Sequence, residues 1–285
     1  MRLALGYDDF KKIIIENFDF VDKSLFIKEF IDNASTEVSV ITRPRRFGKT
    51  LNLSMLRYFL AAEVHGESTE GLFDNLNIAR CGNDINGVSY ISHQGQYPVV
   101  FLTLKDIKEP SFANALEKMC IILQSLYREH QYLLDSKELA ENEKNIVRKY
   151  LDGRVGQVEL EVSIKLLCEF LHKHYQKKVF ILLDEYDTPI QSSFIKGYYE
   201  KMMDFMRGML GAALKSNPFL NRAVITGVIR IAKESLFSGL NNVKPYSVLQ
   251  SKYGQYFGFS EEEVCALLER AKMGEHIDER VVQRI

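Results

Sequence analysis

Four short, mostly apolar runs are spaced along the chain: Val38 to Ile41, Tyr97 to Leu104, Val179 to Leu183 and Ala223 to Val228. Continuous apolar runs of this length, rich in β-branched residues, predict strands buried on both faces, as in a parallel sheet. A shorter run, Tyr246 to Leu249, predicts a fifth strand. Between the runs the apolar period becomes helical. Phe10, Ile13, Ile14 and Phe18 follow Asp8 and Asp9, either of which can cap a first helix. Leu25, Phe26, Phe30 and Ile31 follow Ser24, the expected cap of a second. Further helices are predicted from Thr50 to Ala62, from Ser111 past Leu126, within the charged stretch Asp135 to Gly156, from Leu160 to Tyr175 and from Tyr198 to Leu214. A last one starts at Ser260-Glu-Glu-Glu263, which has the form of a capping box. Met202, Met203, Met206 and Met209 recur at helical spacing and are expected in the core. Gly66 to Gln96 is polar and Gly-rich and predicts a long connection with only short elements. Strands alternating with helices predict an α/β fold built on a parallel sheet.

Composition narrows this picture only a little. The 285 residues are 46% hydrophobic and 26% charged, ordinary values for a globular protein. Lys and Arg number 37 against 38 Asp and Glu, so the balance argues for neither a nucleic-acid-binding chain nor an acidic one, although a local basic surface is compatible with it. Cys81, Cys120, Cys168 and Cys265 are scattered and form no paired motif, which argues against a zinc site or a disulfide framework. Cys168 and His172 are four apart on one helix, but no further ligand has metal-site spacing. No secretory signal opens the chain and no apolar run is long enough to span a bilayer, so a cytoplasmic location is expected.

Two stretches carry chemistry. After the first strand, Thr42-Arg-Pro-Arg-Arg-Phe-Gly-Lys-Thr50 makes a basic turn that ends in Gly48-Lys49-Thr50 at the start of a helix. This is the context of a phosphate-binding loop, where backbone N–H groups and the positive helix end wrap phosphate. Lys49 would reach the β- and γ-phosphates, and the Thr50 hydroxyl would ligate Mg²⁺. The pattern departs at Arg43, where glycine is usual; Arg takes positive φ at a cost of about 1–2 kcal/mol, so the loop is expected to start along a different path. Arg45, Arg46, Phe47, Gly48, Lys49, Thr50 and Leu51 are the candidate nucleotide contacts. The second stretch, Val179 to Asp187, ends an apolar strand in Asp184-Glu185-Tyr186-Asp187. Acids at the C-terminal end of a parallel strand lie where ligands bind in open α/β sheets. In this Walker B pattern Asp184 would hold Mg²⁺ and Glu185 would orient the attacking water. Asp187 is either a supporting acid or a cap for the segment after Pro189. Arg230, leaving the fourth strand, is the candidate γ-phosphate sensor.

Phe20-Val-Asp-Lys-Ser24, Arg43 to Thr50 with Leu51-Asn-Leu-Ser-Met-Leu56, Leu183 to Pro189, Thr226 to Arg230 and Ser238 to Asn242 stand in the order seen in a bacterial family. Together they resemble the AAA-ATPase-like family, whose members are often joined to a C-terminal PD-(D/E)XK-type nuclease domain. In that family an Arg-Pro-Arg-Arg loop is usual. The resemblance implies a P-loop NTPase of the additional-strand type, with strand order 5-1-4-3-2 and helical additions. It divides the chain into a helical segment (1–34) packing on the core, an ATPase domain (35–273) and a tail (274–285). It implies ATP and Mg²⁺ as cofactors, with Lys49, Glu185 and Arg230 catalytic and Thr50 and Asp184 on the metal. No PD…(D/E)xK constellation comes after the core, so nuclease activity is not carried over, and the chain is expected to be a fragment, a truncated product or a stand-alone ATPase. The alternative is a nucleotide-dependent switch that hydrolyses little and controls an effector or nuclease domain; oligomerisation is compatible with either.

Overall fold

The computed structural model describes residues 4, 6–229, 236–237, 240–250 and 252–270. Five parallel strands form the central sheet: β1 (Val38–Thr42), β4 (Val99–Thr103), β5 (Val179–Asp184), β6 (Leu220–Gly227) and β7 (Val243–Tyr246). Their spatial order is β4-β5-β6-β1-β7. Two short strands, β2 (Glu63–Val64) and β3 (Glu67–Ser68), form a separate hairpin. Numbered among themselves in chain order, the five sheet strands read 5-1-4-3-2 from the β7 edge.

Side-chain alternation along each strand divides the core in two. In β5, Val179, Ile181 and Leu183 face one cluster, while Phe180 and Leu182 face the other. The first face is covered by α4 (Phe112–Glu129), α5 (Glu141–Leu151), α6 (Gln157–Tyr175), α7 (Thr188–Lys196) and α8 (Tyr199–Leu214). The four methionines of α8 are buried there, as their spacing predicts. The second face is covered by α1 (Phe10–Ile15), α2 (Leu25–Asp32), α3 (Lys49–Leu60) and the loop around Phe73 and Ile78. The result is a three-layer α/β/α arrangement with every strand of the sheet pointing the same way.

Several local expectations hold and others shift. Asp9 caps α1 by accepting from the Lys12 N–H at 2.9 Å. Ser260 and Glu263 close a reciprocal box at the start of α9 (Glu261–Arg270). Ser24 does not cap α2: its hydroxyl accepts instead from Ile78 N–H at 3.0 Å, tying the helix to the loop over it. The fifth strand lies three residues earlier than the apolar run predicts. Val243 pairs with Val38 and Pro245 with Val40, a place a proline tolerates because β7 is an edge strand. Val248 and Leu249 lie past its end, 58% and 93% exposed. Cys168 is enclosed in the core, and burial pushes its thiol up to about 12. No cluster of His, Cys, Asp and Glu with metal-site geometry occurs among the described residues, and none of their helices is long and apolar enough to cross a membrane.

Candidate functional site

The C-terminal ends of four adjacent strands converge at one edge of the sheet. Register places Thr42 of β1 beside Gly227 of β6, and Thr103 of β4 beside Asp184 of β5. Parallel strands leave their loops and following helices at this edge, which is where an open α/β sheet offers a crevice.

The loop from β1 to α3 crosses this edge. Its start does follow a path without positive φ at Arg43; the left-handed residues are Arg46 (φ 68°) and Gly48 (φ 72°), the latter preceding α3 directly. Arg43 turns inward and is buried. Its guanidinium donates to Thr42 O at 2.8 Å and Tyr246 O at 2.9 Å and lies over the Phe257 ring at 5.4 Å. Arg45, Arg46 and Phe47 are exposed on the loop, and Leu51 is half-buried against the α1–α3 side of the core.

Lys49 and Thr50 open α3. Lys49 is 6% exposed and donates across the loop to Arg43 O (3.0 Å) and Pro44 O (2.8 Å). Burial lowers its pKa, an effect opposed by the nearby Asp184, Glu185 and Asp187 carboxylates. Thr50 Oγ1 donates to Asp184 Oδ2 at 2.7 Å, joining residues 134 apart in the chain. Asp184 is fully buried, and its other oxygen accepts from the Thr226 hydroxyl on β6. Burial raises the Asp184 pKa, and the two threonine hydroxyls and Lys49 oppose that rise, whereas Glu185 adds to it.

Glu185 stands in the left-handed region at φ 53°, the point at which the chain leaves β5. A non-glycine residue held there marks a turn fixed by its surroundings. Its Oε2 accepts from the Thr188 hydroxyl at 3.0 Å. Asp187 sits at the start of α7 but makes no capping bond with it. Its Oδ2 accepts from the backbone N–H groups of Val228 (3.0 Å) and Ile229 (2.8 Å) and from Gln191 Nε2 (2.6 Å). Asp187 therefore does not cap α7; its bonds run to the chain leaving β6 and to Gln191.

Lys49, Thr50, Asp184 and Glu185, read from two distant motifs, thus converge at one place. Arg230 lies outside the described residues. Sequence reasoning passed over Thr226, Thr188 and the segment after β7. Asn52 of α3 donates to Tyr256 O at 2.7 Å, and the Gly258 N–H donates to Phe47 O at 3.1 Å, so that segment braces the loop from outside the motif. A threonine ending a strand has no local signal of such a role; only the neighbouring strand supplies its partner.

A family model described as "Predicted AAA-ATPase" matches residues 4–237. The chain belongs to this AAA-ATPase-like family. The description implies nucleotide binding, in keeping with an α/β sheet whose crevice holds a Gly-Lys-Thr helix start. The chain is also similar to an "Uncharacterized protein in vnfD 5'region" of Azotobacter chroococcum mcd 1, with 26% identity over 268 residues. That match takes in 93% of this chain and 44% of the relative, so the chain spans less than half the relative's length. No solved structure matches.

Proposed function

We propose that this protein binds ATP with Mg²⁺ at the β1–α3 loop and hydrolyses it. The observation that carries this reading is the 2.7 Å contact between Thr50 Oγ1 and Asp184 Oδ2 beside the start of α3. A hydroxyl and a carboxylate are the hard oxygen donors that suit Mg²⁺, which binds one or two protein oxygens and completes its shell with water and phosphate. These two residues would hold the ion, which would supply positive charge to offset that of the phosphates.

The remaining steps fall to the chain's own groups. The start of α3 and the loop amides bind the phosphates. Lys49, drawn across the loop by two carbonyls, turns its charge to the β- and γ-phosphates. Glu185 takes the proton of the attacking water, and Arg45, Arg46 or Arg230 steadies the charge that develops. A second reading is a switch with little hydrolysis that governs an effector domain. The Thr188 hydroxyl on Glu185 Oε2 favours it, because that bond engages an oxygen the carboxylate would otherwise turn to a water.

Titration with ATP, ADP and GTP in Mg²⁺, following both melting temperature and phosphate release, tests these readings. Lys49→Ala is expected to weaken Mg·ATP binding by about 1.5–3 kcal/mol, the worth of a hydrogen bond to a charged group. Unchanged affinity would end the phosphate-loop reading. Glu185→Gln is expected to keep binding and lower phosphate release about 10²- to 10⁴-fold. Binding without turnover in the unmodified protein selects the switch.

A further inference from the structure

The acidic turn after β5 grips the exit of β6 far more closely than two neighbouring strands require. Asp184 accepts from the Thr226 hydroxyl, and the Tyr186 N–H donates to Thr226 O at 3.1 Å. Asp187 Oδ2 accepts from the Val228 and Ile229 N–H groups, and the Tyr186 hydroxyl donates to Ile229 O at 3.0 Å. Ile229 is thereby held at both its N–H and its C=O by two consecutive residues of the other loop. Tyr186 is fully buried and Asp187 is 1% exposed, so the side-chain ends of these bonds are enclosed, while Ile229 itself is 49% exposed. Hydrogen bonds in the protein interior are electrostatically stronger than in water.

Gly227 shows how tight the fit is. A Cβ there would lie 2.7 Å from Asp187 Oδ1 and 2.7 Å from the edge of the Tyr186 ring. Its φ is not positive, so glycine is needed for space and not for backbone freedom. Asp187 Oδ1 itself is buried and has no hydrogen-bond partner among the described residues. A carboxylate placed only to cap α7 would have no reason to accept this environment, and it does not cap α7.

We propose that Asp187, assisted by Tyr186, is a positioning residue that latches the chain leaving β6 to the turn carrying Glu185. This rests on the nucleotide-hydrolysing reading above. Glu185 lies between residues that hold β6, Asp184 on one side and Tyr186 with Asp187 on the other. A displacement of residues 227–229 by a bound triphosphate therefore reaches the backbone of Glu185 through the latch. The latch makes the presence of the γ-phosphate and the placement of the water-activating carboxylate a single event. The acceptor geometry of Asp187 does this work, and its charge does not enter the chemistry.

The test uses the full chain with Asp187→Ala, Asp187→Asn and Tyr186→Phe. Readouts are Mg·ATP and Mg·ADP affinities, kcat for phosphate release, and hydrogen exchange at the Val228 and Ile229 amides. Asp187→Ala is expected to speed exchange at those amides and to lower kcat about 10- to 100-fold, as a small misplacement of a reacting group does, with ADP affinity within about twofold of the parent. Asp187→Asn, whose amide oxygen can accept the same N–H groups, is expected to recover most of the lost rate. Tyr186→Phe removes one bond of the latch and is expected to lower kcat severalfold in the same pattern; it carries the test if Asp187→Ala does not fold. Normal kcat in Asp187→Ala, or in Tyr186→Phe with faster exchange, overturns the proposal. So does an Asn variant as impaired as Ala, which would make the charge itself the active element. If the unmodified protein binds ATP but does not turn it over, the ratio of ATP to ADP affinity replaces kcat. The same variants must then lose that preference, and its retention overturns the latch. Failure of the unmodified protein to bind any nucleotide defeats the functional reading instead, and that outcome is seen before any variant is made.

Discussion

Two charges are buried within one small volume, and their cost is local. Asp184 is enclosed with only two hydroxyls as donors, and burial raises its pKa above the ordinary 3.8. A carboxyl raised in the folded state contributes stability that is fully present below its unfolded value and is lost as pH rises through the folded value. At neutral pH the protein bears that loss, and a bound cation would reverse it. Asp184→Asn is therefore expected to raise the melting temperature of the nucleotide-free protein at pH 7 while abolishing stabilisation by Mg·ATP. For a chain of this size each kcal/mol gained appears as about 2–4 °C. A scan with and without Mg·ATP checks both halves. A lower nucleotide-free melting temperature would mean that the threonine hydroxyls outweigh the burial of the charge.

At the scale of elements, the departure at Arg43 becomes a joint between strands. β7 is an edge strand bonded only to β1, and it carries Pro245, which cannot donate to the ladder. Arg43 supplies a tie that proline withholds, reaching Tyr246 O at the end of β7 and resting on Phe257 just beyond it. Glycine at position 43 would restore the usual loop pattern and remove that tie. Arg43→Gly is expected to destabilise the protein by about 1.5–3 kcal/mol, the range for hydrogen bonds to charged groups, and to loosen residues 246–258 first. Urea unfolding gives the first quantity and hydrogen exchange over that segment the second. A more stable Arg43→Gly protein would show that the buried guanidinium, whose second terminal nitrogen lacks a partner among the described residues, costs more than it holds.

The whole molecule has an acid-sensitive point far from the crevice. His130 ends α4, and its Nε2 is enclosed without a partner among the described residues, although the residue as a whole is half-buried. Burial lowers its pKa from 6.5 to about 3. The unfolded chain thus takes up a proton on this ring below pH 6.5 that the folded chain refuses, and stability falls as pH drops from 6.5 toward 3. The loss from this group reaches about 2 kcal/mol at about pH 5. His130→Gln is expected to flatten the acid limb of the stability profile over that range without altering it above about pH 7. Melting curves from about pH 4 to 8 decide the point, and an unchanged acid limb would assign the loss to other groups.

Much of this architecture was legible along the chain, because both periods of the apolar pattern are local consequences of backbone geometry. The four long strands, the methionine-rich face of α8 and the cap at Asp9 needed nothing beyond near neighbours. Gly48-Lys49-Thr50 and Asp184-Glu185 were legible for a related reason: each motif occupies a strand end, and parallel strands bring their ends together. Contacts between elements were not legible. The place of β7 was set by its register on β1, against an apolar run that pointed three residues later. Asp187 stood where a helix cap belongs, and two of its partners lie 41 and 42 residues onward, just past the end of β6. Ser24 likewise found its partner 54 residues away. A short polar side chain bonds to whichever donor or acceptor the packed chain brings within reach, and that choice is made only when strands and helices meet.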